Sequence, residues 1–357
     1  MERRHFIASG AAAVLAGFSR AAQVTPQVKL GVDLFSLNAQ GWTPFELLDY
    51  CAKLGAKVAH FSEIRFIGSL DDDNLKKVRA HADRLGVEIE VGMLSICPSS
   101  RIFDAKSGTA EEQLTRMIHA AQLTGSRVVR CVLGTSADRT APGGIEAHIE
   151  TTAKVLRNVR SRAMDAGIKI AIENHAGDMQ ARELKMLIEE GGKDFVGACI
   201  DSGNPVWAME DPHVTLETLA PYALTSHVRD SRVYKVPEGI AVEWVRIGEG
   251  NVDIAGWIRK YAQLCPGRNL DLEIIVGGRR VHRIYDPKYW EGYQNVRAHE
   301  FVRFLALAEK GAPPAASQPA APPAAGPGRG APDPERQRRQ REDLEASFRA
   351  CQDILKA

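Results

Sequence analysis

Eight short apolar runs punctuate this chain, and between them lie stretches whose apolar positions recur every three or four residues. The runs, near Val28–Leu34, Lys57–Phe61, Val87–Leu94, Arg127–Leu133, Ile168–Ile172, Phe195–Ile200, Ala223–Val228 and Leu270–Ile275, read as buried strands. The intervening stretches, near Pro44–Leu54, Asp72–Leu85, Ala110–Thr124, Ile145–Ala166, Gln180–Glu190, His213–Leu219 and Asp253–Leu264, read as helices. Gly55, Gly86, Gly125 and Gly167 each follow a helical stretch, where glycine accepts the left-handed backbone that ends a helix. Eight such units in about 250 residues predict a closed (β/α)8 barrel, here over residues 28–308. An open doubly wound sheet is the alternative, but no G-x-G-x-x-G turn follows the first run.

Charged or imidazole side chains stand where four of these runs end: Glu173, Asp201, His227 and Glu273. A buried charge costs several kcal/mol, on the order of 2–7, unless something pairs with it, so four at matching strand ends are expected to converge. Glu173 and Asp201 are 28 residues apart and Asp201 and His227 are 26 apart, each close to one βαβ unit, which places all on one rim. The longer step to Glu273 is read as a polar, glycine-bearing loop over Arg229–Asn251. Three carboxylates and one imidazole suit a divalent ion, with Mn, Mg, Co and Zn all admissible.

The pattern changes after Leu307. Residues 311–334 carry eight of the eighteen prolines and read as a spacer. Beyond it Leu344, Phe348, Cys351 and Leu355 make one helical apolar stripe over residues 335–357. That helix either closes the barrel, in competition with a helix near Val296–Ala308, or docks on a partner. Homo-oligomerisation is compatible with the sequence.

Composition narrows the partners. With 357 residues, 44% hydrophobic and 25% charged, the chain is ordinary globular material. A net charge of +1, without a basic stretch outside the chain ends, argues against nucleic acid and for a small metabolite. No apolar run is long enough for a transmembrane helix. Residues 1–22 read as a twin-arginine export signal: Arg3 and Arg4, then His5, Phe6 and Ile7, then an Ala/Gly stretch and a small-x-small site at Ser19–Ala21. The expected location is periplasmic, after folding and metal loading in the cytoplasm. Six cysteines without C-x-x-C spacing are expected to form no structural bridge.

The stretch Ile200–Asp230, with its I-D-x-G-N strand end, its L-A-P-Y and its H-V-R-D, resembles the xylose isomerase-like sugar phosphate isomerase and epimerase barrels. Glu173-Asn174-His175 is similar to their E-N-H strand end, and Ile247–Asp253 to their G-E-G-x-x-D loop. The resemblance implies that Glu173, Asp201, His227 and Glu273 bind the metal and that the two glutamates act as an acid and base pair on opposite faces of a sugar. The implied reaction is isomerisation or epimerisation of a keto sugar through an enediolate. Where many relatives carry a glutamate after the second strand's G-V, this chain has His60, with Glu63 three residues on. Asn204 replaces the histidine that a multi-zinc endonuclease would need, and Arg229 replaces the lysine of H-V-K-D with a planar fork for a carboxylate or phosphate.

His60, His175, Asn204, Arg229, Arg246 and Trp207 are the candidate substrate contacts, and Trp42 and Phe66 join Trp207 as candidate walls of the pocket. For the arginines after the seventh run, Arg229, Arg232 and Arg246, solvated charge is the default reading. Two other functions stay open: a metal-dependent lyase that cleaves an oxidised glycoside by β-elimination, and a metal-dependent sugar-binding module without turnover.

Overall fold

The computed structural model describes residues 28–314 and 333–357. The export signal read at residues 1–22 and most of the proline-rich spacer lie outside these residues. In chain order the elements are β1 Leu30–Asp33, α1 Pro44–Leu54, β2 Val58–Phe61, α2 Ile64–Ile67, α3 Asp72–Leu85 and β3 Glu88–Ser95. They continue with α4 Ala110–Thr124, β4 Val128–Val132, α5 Gly144–Ala166, β5 Lys169–Glu173, α6 Ala181–Gly191, β6 Val196–Asp201, α7 Pro212–Leu219 and β7 Ala223–Val228. Then come β8 Asp230–Val236, β9 Gly239–Val245, α8 Ile254–Leu264, β10 Leu270–Leu272, β11 Gly277–His282, α9 Ala298–Lys310 and α10 Pro334–Lys356. Strands β1 to β7 and β10 pair in parallel and close into an eight-stranded barrel, with β10 bridging β7 and β1. The helices surround it, so this is the (β/α)8 barrel read from the sequence.

Alternation along each strand sorts residues into two sets. Val32, Ala59, Val91, Val129, Ile170, Ile172, Ile200 and Leu272 join one apolar core between strands and helices. Their neighbours, among them Asp33, His60, Glu90, Arg130, Glu173, Asp201, His227 and Asp271, are buried polar groups facing the barrel axis. Barrel interiors of this kind are ordinarily packed with branched apolar side chains. Here that filling is confined to a small cluster of Val128, Ala171 and Cys199.

The expected loop at Arg229–Asn251 is instead a β-hairpin. β8 and β9 pair antiparallel across a turn at Pro237–Glu238, and β11 adds a third strand. The alternation of Val233, Ile240 and Val242 supports a second apolar cluster with Phe304 and Ala308 of α9. α9 therefore covers this sheet. The ring position beside α8 and α1 belongs to α10, whose Leu344, Phe348 and Cys351 enter the main core. α10 is also tied to the β1 rim by Gln340, which accepts from the Ala39 amide at 3.0 Å. All six cysteines are buried and free. No helix among the described residues is long and apolar enough to cross a membrane.

Candidate functional site

Glu173 and Asp201 are the last residues of β5 and β6, His227 is next to last in β7, and Glu273 directly follows β10. Because these parallel strands end on one rim, one carboxylate oxygen from each acid and one imidazole nitrogen fall within 4.8 Å of one another. The first three residues are fully buried and Glu273 is 6% exposed. His227 Nδ1 lies 3.0 Å from Glu173 Oε2 and 3.2 Å from Glu273 Oε2, yet it makes no hydrogen bond.

Two arginines enter this cluster. Arg130, midway along β4, donates from Nε to Glu173 Oε2 at 2.5 Å. Arg229, between β7 and β8, donates from Nε to Asp201 Oδ2 at 3.0 Å and from Nη2 to Glu273 Oε2 at 2.5 Å. Reading Arg229 as solvated loop charge is thus corrected, and its fork is taken by protein carboxylates rather than open to a substrate. Its side chain lies over the Trp244 ring at 4.2 Å and passes Gly203, where a Cβ would stand 2.8 Å from Arg229 Cδ. The hairpin that the sequence reading missed supplies Trp244.

These neighbours set the charges. Burial works against the charge on Glu173, yet Arg130 and His227 outweigh it and hold the carboxyl well below its usual range. Burial likewise opposes Glu273, and Arg229 with His227 lowers it. Burial pushes Asp201 up to about 7 in spite of Arg229. Burial also opposes a charge on His227, but Cys199, Glu173 and Asp33 outweigh it and raise the imidazole well above its ordinary value. A proton and a metal ion therefore compete for the same nitrogen.

The remaining expected contacts divide. Asn204 donates to Glu173 Oε1 at 3.0 Å, and its amide donates to Asp201 Oδ1 at 2.6 Å. Asn174 ties the β5 and β6 ends together through the Asp201 backbone, at 2.9 and 3.0 Å. His175 sits near Glu173 with Nδ1 2.8 Å from the Gly134 carbonyl oxygen, and burial lowers its pKa. Trp207 stacks on Trp244 at 4.1 Å and so borders the site through that ring.

His60 is not a rim contact. It is fully buried beneath His227, with Nδ1 3.1 Å from His227 Nε2. Arg246 also stands apart, donating to Asp343 of α10 at 2.6 Å. Glu63 pairs with Arg65, Trp42 packs on Tyr50, and Phe66 is buried in α2 beside Phe35. Asp230 of the H-V-R-D stretch accepts from the Gly248 and Gly250 amides at 2.9 and 3.0 Å, which anchors the G-E-G loop.

The donor set fits a divalent ion. Three carboxylates and a buried, unpartnered imidazole nitrogen share one small volume, and oxygen with nitrogen donors suits Mn, Co or Zn. Arg229 competes for two of the same carboxylates. Of the six carboxylate oxygens in the set, Glu273 Oε1 is the one without a hydrogen bond from the described residues.

Comparison with known proteins agrees with this architecture. A 3-oxo-isoapionate decarboxylase of Pectobacterium atrosepticum is 23% identical over 184 residues, 52% of this chain and 59% of the decarboxylase. The chain spans about three-fifths of the length of the curated relatives it matches. Among solved structures, the IolI protein with a bound zinc atom aligns over 79% of this chain and 96% of its own, with a TM-score of 0.54 at 14% identity. The 3-keto-D-glucoside 4-epimerase YcjR of E. coli aligns over 79% and 99%, with a TM-score of 0.54 at 12% identity, so both share the fold. A family model described as "Xylose isomerase-like TIM barrel" matches residues 48–281, more than half of the chain. The protein belongs to the xylose isomerase-like TIM barrel family.

Proposed function

We propose that this protein is a divalent-metal-dependent isomerase or epimerase of a keto sugar or sugar derivative, with Glu173, Asp201, His227 and Glu273 as the metal ligands. The observation that carries the reading is the asymmetry among the carboxylates. Glu173 and Asp201 have both oxygens committed to protein donors, whereas Glu273 keeps Oε1 free and is the most exposed of the four. A carboxylate fixed by Arg229 through one oxygen and free at the other is placed to take a proton from the carbon beside a ketone. A divalent ion at this centre would polarise the substrate carbonyl and stabilise the negative charge developing on its oxygen.

The protein's own groups do the rest. Arg130 and Asn204 hold Glu173 rigidly in its ionised form on the other side of His227. Held ionised with both oxygens bonded, Glu173 serves as a ligand carboxylate, and a proton returned to the far face would have to come from another group. Relatives in sugar chemistry support the substrate class: one is a decarboxylase of an oxo acid and one a 4-epimerase of a 3-keto-glucoside. Export through the signal read at residues 1–22 would bring the enzyme to free sugars and glycosides rather than sugar phosphates.

The test is deuterium exchange. The full chain, loaded with Mn or Zn, is incubated in D₂O with keto sugars and 3-keto-glycosides and followed by NMR. Deuterium is expected beside the carbonyl, and Glu273→Gln is expected to slow its entry by about 10²–10⁴-fold, the usual worth of a positioned base, with bound metal largely retained. Release of the aglycone in the same tubes would move the enzyme to the lyase class. Absence of exchange with every keto sugar, or full exchange in Glu273→Gln, would overturn the assignment.

A further inference from the structure

Below the rim cluster, a second set of ionisable side chains faces the barrel axis and takes no part in the proposed chemistry. His60 of β2 places Nδ1 3.7 Å from Glu90 Oε2 of β3 and 3.8 Å from Asp271 Oδ2 of β10. Asp33 Oδ2 of β1 is 4.0 Å from the same nitrogen. His60, Asp33 and Asp271 are fully buried and Glu90 is 6% exposed.

Neutral donors serve Glu90 and Asp271, and Asp33 has one beside the His227 imidazole. Asn269 donates to Glu90 Oε1 at 2.6 Å, Thr225 to Asp271 Oδ2 at 3.2 Å, and Ser62 to Asp33 Oδ1 at 2.8 Å. Among the described residues, Glu90 Oε2, which faces His60, and Asp271 Oδ1 have no hydrogen-bond partner. Asp33 has the His227 imidazole 2.9 Å from Oδ2, but Glu90 and Asp271 share one buried volume with no charged partner of their own among the described residues, and such a pair offers a place for a cation.

Space and ligand spacing fit one. Two ligands bound at about 2.1 Å to one ion stand roughly 3.0–3.6 Å apart for angles of 90–120°, so Glu90 and Asp271, at 3.7 and 3.8 Å from His60 Nδ1, would draw in slightly on an ion. Gly31 lets the Asp271 carboxylate close on β1, since a Cβ there would stand 1.9 Å from its Oδ1. His227 Nε2 is 2.9 Å from Asp33 Oδ2, so Asp33 can take that proton and leave the His60 Nδ1 lone pair for a ligand bond. Entry is from the N-terminal end of the barrel, where Glu90 and Asn269 line a cleft of about 370 Å³.

We propose that His60, Glu90 and Asp271 bind a second divalent cation inside the barrel. One imidazole with carboxylates selects the Zn, Mn or Co class. The ion joins β2, β3 and β10, with Asp33 beside it on β1, and its role is structural. This site shares no ligand with the rim centre, so either can fail alone.

Counting ions tests it. The full chain is stripped with chelator, equilibrated with Zn or Mn, and assayed by elemental analysis and calorimetry. Two equivalents are expected, with Glu90→Gln losing one and Asp201→Asn losing or weakening the other. An ion count that Glu90→Gln leaves unchanged, whether the unaltered chain holds one or two, would overturn the second site. Should Glu90→Gln fail to fold, anomalous scattering at the metal edge from crystals of the unaltered chain decides. A peak among His60, Glu90 and Asp271 supports the site, and a peak confined to the rim refutes it.

Discussion

The barrel holds two stacked clusters made of nearly the same parts. At the rim stand Glu173, Asp201, Glu273 and His227; beneath them stand Asp33, Glu90, Asp271 and His60. Each has three carboxylates and one imidazole, but only the upper set has fixed cations, Arg130 and Arg229. Burial sets the same problem in both places, because a carboxylate leaving water must recover its solvation from donors or positive charge. The rim solves it within the covalent chain, so an ion arriving there has to share oxygens with a guanidinium. That arrangement suits an exchangeable catalytic centre that keeps its shape when the ion leaves. The lower cluster has no such substitute, and burial raises both Glu90 and Asp271, the latter well above the usual carboxylate range. Its charge is neutralised by protons or by a bound ion.

The largest break in this comparison comes from removing the rim's own cation. Arg229→Met leaves Asp201 and Glu273 buried without their shared partner. Deleting one side of a buried ion pair costs about 3–5 kcal/mol. Urea unfolding in chelator should show that loss, and saturating Mn or Zn should recover a good part of it, because the ion then meets oxygens that no guanidinium holds. A loss of equal size with and without metal would mean that Arg229 and the ion do not compete.

A smaller effect sharpens the lower half. In Gly31→Ala the added Cβ meets Asp271 Oδ1 at 1.9 Å and Val58 Cβ at 2.6 Å, between strands that cannot separate freely. Overpacking of this kind costs about 1–3 kcal/mol. The displaced carboxylate should also cost the second ion while leaving the rim ion in place. Unchanged stability and two bound ions would show that the Asp271 pocket is slack.

The barrel and the convergence of the four rim side chains were legible because both follow from periodicity. Apolar runs, glycine stops and strand-end charges recur in step, at intervals of about 26–47 residues, and parallel pairing does the rest. The lower cluster was harder to read, because Glu90 and Asp271 lie inside strand-like runs, where a charge reads as a solvent-facing alternate. The signal was present: Glu88-Ile89-Glu90-Val91, Val129-Arg130-Cys131 and Leu270-Asp271-Leu272-Glu273 alternate charge with apolar residues inside a parallel barrel, where neither face is wet. The hairpin after β7 was hidden differently. Its alternation is masked by polar residues: Arg232 pairs with Glu243 on one face, while Lys235 shares the face of Val233, Ile240 and Val242 and reaches Glu309 of α9. The partner of Arg229 could not be read from local sequence, since Asp201 and Glu273 are 28 and 44 residues away along the chain.

Arg246 provides the smallest effect and the control for charge itself. The sequence places it beside Arg229 in the same segment, and both were candidate substrate contacts, yet their surroundings differ. Arg229 is 2% exposed and spans two strand ends, whereas Arg246 is 36% exposed along its side chain and joins Asp343 of α10 with Glu249 nearby. Water and salt screen such a pair, so Arg246→Ala should cost at most about 1 kcal/mol. KM and metal content should stay unchanged, because no group of either cluster touches this side chain. A substantial rise in KM would place Arg246 at the substrate and would mean that the hairpin closes over the rim during turnover. An unchanged KM beside a strong effect of Arg229→Met would show that burial between carboxylates, rather than positive charge near the rim, sets what an arginine does in this barrel.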